Sequence, residues 1–182
     1  ANWFTEKARK MLLKWDLYLR PQSIEAGIYV AWQSQLKNAV RDLVVPDKAK
    51  KHFSYLSMKK TLDWLQSPDG RFGEDPIAGR NELLLSSLEK AVSDLSEKFG
   101  RNPSKWTYGQ TDYKHISLKH PLSDAVNSKT RETINVGPAV RGGDGYTINN
   151  TGGWNNQSSG ASFRIFVDTE NWDNTLAMNN PG

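Results

Sequence analysis

The chain has 182 residues, enough for one domain or two small ones, and 37% of them are hydrophobic, at the low end for a globular core. Its 24 basic and 20 acidic residues leave a net charge of +4, which neither demands a nucleic-acid partner nor excludes one. It contains no cysteine, which removes disulfides, Cys-ligated metals and Cys nucleophiles, and no apolar run approaches the roughly 20 residues that span a bilayer.

Residues 3–15 place Phe4, Ala8, Met11, Leu12 and Trp15 on one helical face, with the lysines and Arg9 on the other. That pattern is an amphipathic helix and not a signal peptide. Pro21 breaks it. Ser23 then stands at an N-cap position with Glu25 in the first turn, and Ile24, Ile28, Trp32, Leu36, Val40 and Leu43 predict a long helix ended by Pro46. Residues 47–60 are rich in lysine: Lys48, Lys50, Lys51, Lys59 and Lys60, with His52 among them. They read as a solvated linker. The alternative is an anion or nucleic-acid patch, but no RNP-like or helix-turn-helix pattern accompanies it. Ser57 is placed to cap a short helix through Leu62, Trp64 and Leu65, and Asp69-Gly70 stops it. Asp69, Glu74 and Asp75 form a small acidic cluster without the ligand spacing of an EF-hand loop. Residues 80–99 predict a second long helix on Leu84, Leu88, Ala91, Val92, Leu95 and Phe99, with Gly100 as its C-terminal stop.

The texture changes from Asn102. Trp106 to Gly109 and Tyr113 to Leu122 read as extended chain, and residues 123–133 as a polar loop. His115 and His120 are five apart, and as a metal pair they would need a third ligand that nothing nearby supplies. As a catalytic base either would need a nucleophile and an orienting acid close in space. Ser117, Ser123 and Asp124 are close in sequence only, so structural histidines are the plainer reading. Three short strands are predicted towards the end: Tyr146 to Asn149, Phe163 to Val167 and Leu176 to Met178. Gly142-Gly143-Asp144-Gly145 precedes a strand and no helix follows, which rejects the dinucleotide and P-loop fingerprints.

The ordered set of short motifs is more informative than any one of them. It runs Leu13-Lys14-Trp15-Asp16; Pro68-Asp69-Gly70-Arg71-Phe72-Gly73; Phe99-Gly100; Trp106-Thr107-Tyr108-Gly109; His115 and His120-Pro121-Leu122; Asn135-Val136-Gly137-Pro138; Gly142 to Asn149; Ser162-Phe163-Arg164; and Asn180-Pro181-Gly182. In that order the chain resembles the C-terminal part of the large (β) subunit of the penicillin acylase family of N-terminal nucleophile hydrolases, over nearly its whole length. The resemblance implies a precursor that cuts itself into a small α and a large β subunit. The new N-terminal Ser of β attacks an amide carbonyl, with its own α-amino group as the base. It also implies that the nucleophile, the oxyanion Asn and the usual structural-calcium ligands lie upstream of Ala1, and that further strands follow Gly182. No catalytic, cofactor-binding or metal-ligating residue is therefore assigned to this chain.

The expected fold is α+β: a helical portion over 1–105 and an extended or β portion over 106–182. Its strands would belong to the four-layer αββα sandwich of the intact parent. The expected function is that of a piece of an amidohydrolase acting on a small N-acyl amide, such as a β-lactam side chain or an acyl-homoserine lactone, and inactive by itself. Its expected partners are the remainder of its own β subunit and the α subunit, with self-association of the isolated piece and neither nucleic acid nor membrane. The family implies a periplasmic or secreted location. The alternative function is a non-enzymatic helical interaction module with a basic patch at 48–60; a third makes His115 or His120 part of a self-contained hydrolase.

Overall fold

The computed structural model describes residues 2–147, 155–157 and 163–179. It is a helix-rich α+β structure with two small antiparallel sheets, and it divides into two compact units. The first holds residues 1–18 and 22–108, the second residues 19–21 and 109–182.

In the first unit, α1 (Trp3–Leu12) is capped by Asn2, whose side chain accepts the Thr5 N–H at 2.9 Å. It ends before the expected Trp15. Asp16 accepts the Tyr18 N–H at 3.0 Å, and Trp15 turns onto the Tyr29 ring, 5.0 Å between centroids. The same turn holds Leu17 at φ 67°, a left-handed conformation that is uncommon outside glycine. α2 (Ile24–Val44) starts as expected, with Ser23 Oγ accepting the Ala26 N–H at 3.0 Å. The lysine-rich segment contains a single short turn of helix, α3 (Asp47–Lys50), and α4 (Met58–Gln66) follows its Ser57 cap.

α5 (Pro76–Phe99) begins earlier than the apolar stripe predicts. The Asp75 carboxylate accepts the N–H groups of both Ile77 and Ala78 at 3.0 Å, and Pro76, with its fixed φ and no N–H, suits the first helical position. Capping chemistry and not hydrophobic period sets this start. α2 and α5 then pack along their apolar stripes. Ile28 and Val40 of one helix and Leu88, Ala91 and Val92 of the other are buried. The Trp32 indole donates to Ser87 Oγ at 2.9 Å, which satisfies the polar atom of this half-buried tryptophan. Trp106 is completely buried and donates its indole N–H to the Gly100 carbonyl at 2.9 Å. Its own carbonyl lies where a Cβ on Gly27 would stand, so α2 needs glycine at that point.

In the second unit, residues 19–21 are held by the Gly109 N–H on the Pro21 carbonyl (2.7 Å) and the Gly143 N–H on the Leu19 carbonyl (2.9 Å). β1 (His115–Leu118) pairs antiparallel with β2 (Val136–Val140), His115 opposite Val140 and Leu118 opposite Val136, with a bulge between. The Gly137–Pro138 peptide is cis. Residues 123–133, expected as a loop, run into α6 (Ser128–Ile134), because Asn127 accepts the Thr130 N–H at 2.9 Å and starts a helix. The strand expected over Tyr146 to Asn149 is not found in its described half. Tyr146 and Thr147 lie in a turn closed by Thr147 N–H on the Asp144 carbonyl at 3.2 Å, while 148 and 149 fall outside the described residues, as do 180–182.

β3 (Phe163–Phe166) and β4 (Leu176–Asn179) form the second sheet, in register from Phe163 opposite Asn179 to Phe166 opposite Leu176. Side chains alternate across a strand. Phe163, Ile165 and Ala177 therefore share one face, and Phe166, Leu176 and Met178 the other. Both faces are open: Phe163 is 56% exposed on the first and Leu176 68% on the second.

Candidate functional site

The two histidines and the serines beside them sit around β1 and the loop that follows it. Asn135 organises that loop. Its Oδ1 accepts the backbone N–H of His120 at 2.8 Å and also the Ser123 hydroxyl. The His120 carbonyl accepts the Ser123 N–H at 2.9 Å, and His120 Nδ1 accepts the Leu122 N–H at 3.1 Å. Arg131, projecting from α6, donates to the carbonyls of Ser123 (2.8 Å) and Val126 (3.2 Å). Lys119 and Asp124 pair at 2.7 Å, and that hydrogen bond holds the Asp124 carboxyl below the usual carboxylate range.

These contacts decide what the cluster can do. A serine nucleophile needs a base to take its proton. Ser123 instead gives its proton to an amide oxygen, which is not a base, and its residue is wholly buried. His120 accepts through Nδ1 from the backbone, so in the neutral ring Nε2 carries the hydrogen. Asp124 faces a lysine. Ser123, His120 and Asp124 thus hold a loop in shape, and the geometry gives a Ser–His–Asp hydrolase no support.

His115 is part of the sheet. Its N–H donates to the Asn155 carbonyl (3.0 Å) and its carbonyl accepts from Gln157 N–H (2.8 Å), so Asn156 forms an isolated parallel bridge with His115. Asn156 extends that pairing with its side chain, which accepts from Ser117 N–H (2.7 Å) and donates to the Ser117 carbonyl (2.8 Å). His115 Nδ1 is buried and meets no hydrogen-bond partner among the described residues. Two cations are buried close by. Lys114 reaches Asn155 Oδ1 at 3.1 Å and lies over the Tyr113 ring, and Arg141 donates to the Gly143 carbonyl at 3.2 Å. Asn135 and Asn156 carry most of this local order. Asn135 stood in the sequence only as part of the Asn135-Val136-Gly137-Pro138 motif, and the groups their amides meet come from distant positions.

Two members of the acidic cluster, Asp69 and Asp75, act as caps. Asp69 accepts the Arg71 N–H at 3.0 Å and Asp75 caps α5. Among the described residues no group of three or more His, Asp or Glu side chains gathers as a metal-ligand set. In the lysine-rich stretch Lys50 pairs with Asp47, and Lys59 and Lys60 share Asp63, so much of its charge is balanced locally. Among the described residues no helix is long and apolar enough to cross a membrane.

Compared with known proteins, the chain matches a family model described as Penicillin amidase over residues 2–182. No curated protein matches it.

Proposed function

The chain belongs to the penicillin amidase family, and from that premise we propose that it forms the C-terminal part of the large subunit of an N-terminal nucleophile amidohydrolase. In this reading the N-terminal Ser of the large subunit lies outside these residues. Its hydroxyl attacks the carbonyl of a small N-acyl amide while its own α-amino group takes the proton. Oxyanion donors elsewhere in the subunit hold the developing charge, an acyl-enzyme forms, and water releases the acid. The role of this chain is to build the wall around that centre. It binds no cofactor of its own, and the structural calcium of such a parent is held by residues beyond it.

The observation that carries this reading is the β3–β4 ribbon. A sheet that faces water on one side alternates apolar and polar side chains, whereas strands covered on both sides are apolar on both. Phe163 and Ile165 on one face, and Phe166, Leu176 and Met178 beside Arg164 on the other, come close to the second pattern yet stand open to solvent. A two-stranded ribbon is marginal by itself in water. Both faces suit burial between further layers, as in an αββα sandwich completed by the rest of the large subunit, with the small subunit as second partner. The periplasm or the exterior of the cell is the compartment proposed, and neither a nucleic acid nor a bilayer enters the assembly.

Purification of the native product from its source tests this, by intact mass and N-terminal sequencing. The expected result is a longer chain that starts with Ser and contains these residues, accompanied by a small second subunit, and amide hydrolysis that the 182-residue chain alone lacks. A native product equal to this chain and nothing more would overturn the reading.

A further inference from the structure

We propose that Asp144-Gly145 is a site of spontaneous covalent modification, at which aspartate converts to isoaspartate through a cyclic imide. The peptide nitrogen of Gly145 attacks the Asp144 carboxyl carbon in its neutral, protonated form. The nitrogen's proton and the carboxyl hydroxyl leave as water, and a five-membered imide closes. Water then adds to either imide carbonyl. Opening at the former main-chain carbonyl leaves the backbone running through the Asp144 side chain, and opening at the other carbonyl restores aspartate. Nothing beyond water is consumed or released.

Several features of this turn favour the step. The attacking residue has no Cβ to obstruct approach, and Gly142 and Gly143 precede it. Gly145 is exposed, so water reaches the imide. Asp144 Oδ1 accepts the Tyr146 N–H at 2.8 Å, which folds the side chain forward along the chain towards the Gly145 peptide instead of away from it. Among the described residues Asp144 forms no salt bridge, so the single contact at Oδ1 orients its side chain.

The chain's other Asp-Gly step differs on this last point. The Asp69 carboxylate is tied at both oxygens, Oδ1 by the Arg71 N–H at 3.0 Å and Oδ2 by the Arg71 guanidinium at 3.6 Å, which restrains it from turning onto the Gly70 nitrogen. Gly70 opens a 3-10 turn whose Phe72 N–H is bound to the Asp69 carbonyl at 2.9 Å. Conversion at Asp144 would insert one methylene into the main chain. It would break the turn that Thr147 closes by taking the Asp144 N–H on its Oγ1 (3.1 Å) and donating that hydroxyl to the Asp144 carbonyl (2.9 Å).

The test is to age the full chain at neutral pH and body temperature. Isoaspartate is then assigned by peptide mapping after labelling with an isoaspartyl methyltransferase. A free peptide of the sequence 141–147 runs beside it as the unstructured reference. Isoaspartate should accumulate at Asp144 at least as fast as in the free peptide and several-fold faster than at Asp69. Gly145→Val should slow it several-fold, and Asp144→Glu, which would need a six-membered imide, should remove it. Gly145 is not at positive φ, so the backbone accepts the first substitution. An unlabelled Asp144 in a chain whose free peptide isomerises, label confined to Asp69, or label that survives Asp144→Glu would each overturn the proposal.

Discussion

Single residues here do their work through one or two contacts that a sequence does not display. Trp106 is the clearest case, because its indole fills the first unit and its N–H satisfies the Gly100 carbonyl at the end of α5. Truncation removes both. We expect Trp106→Ala to cost about 3–5 kcal/mol, the range for emptying a core aromatic site. Trp106→Phe should cost less, roughly 1–3 kcal/mol, mostly for the carbonyl left without its donor. Denaturant unfolding followed by far-UV circular dichroism measures both, and equal losses for the two variants would show that the hydrogen bond carries no separate weight. Asn135 works in the same manner in the second unit. One amide oxygen receives a backbone N–H and a hydroxyl from a loop twelve to fifteen positions earlier.

At the scale of elements, period and caps together fix the helices. The stripe from Ile24 to Leu43 and the Ser23 cap both lie within one stretch of chain, so α2 was legible from end to end. α5 was legible in its body but not at its start, since Asp75 had been assigned to an acidic cluster when its partners are the N–H groups of Ile77 and Ala78. α6 is short and carries no apolar stripe, and only its Asn127 cap marks it. Phe163 to Val167 read correctly as a strand because β-branched and aromatic residues dominate it, and Leu176 to Met178 because it is a short apolar run. Tyr146 did not, because the Asp144 side chain competes for the backbone and makes a turn. The connection between β3 and β4 depends on a similar device. The N–H groups of Asn171 and Glu170, with help from the Asn174 amide, hold the Asp168 carboxyl below its ordinary value. A depressed carboxyl contributes stability that is complete above the unfolded value, about 3.9, and is lost as pH falls through the folded one. The amide resonances of Glu170 and Asn171 should therefore move together in an acid titration, at a midpoint below that of a free aspartate. A midpoint at or above the free value would remove Asp168 from this role.

For the whole molecule, the two units differ in how their apolar surface is disposed. The first buries its stripes between α2 and α5, and the indoles of Trp32 and Trp106 find partners within it. In the second, β2 and both faces of the β3–β4 ribbon present apolar side chains to solvent. Unpaired strand edges beside such faces are templates for association. The sequence could signal this only indirectly, because the strands themselves look ordinary and the missing quantity is the layer that would cover them. Local opening is easiest where few apolar contacts back the hydrogen bonds. Amide exchange on the isolated chain should then show strong protection along α2 and α5 and weak protection at Phe163–Phe166 and Leu176–Asn179, or concentration-dependent protection of the ribbon if copies cover one another. Light scattering on the same samples separates those two cases. Adding the remainder of the large subunit should protect the ribbon at any concentration, because the same faces that drive self-association would then be buried. Uniformly strong protection in a monomer would mean that the ribbon is stable without any cover, and the argument from its two apolar faces to a larger enzyme would fail with it.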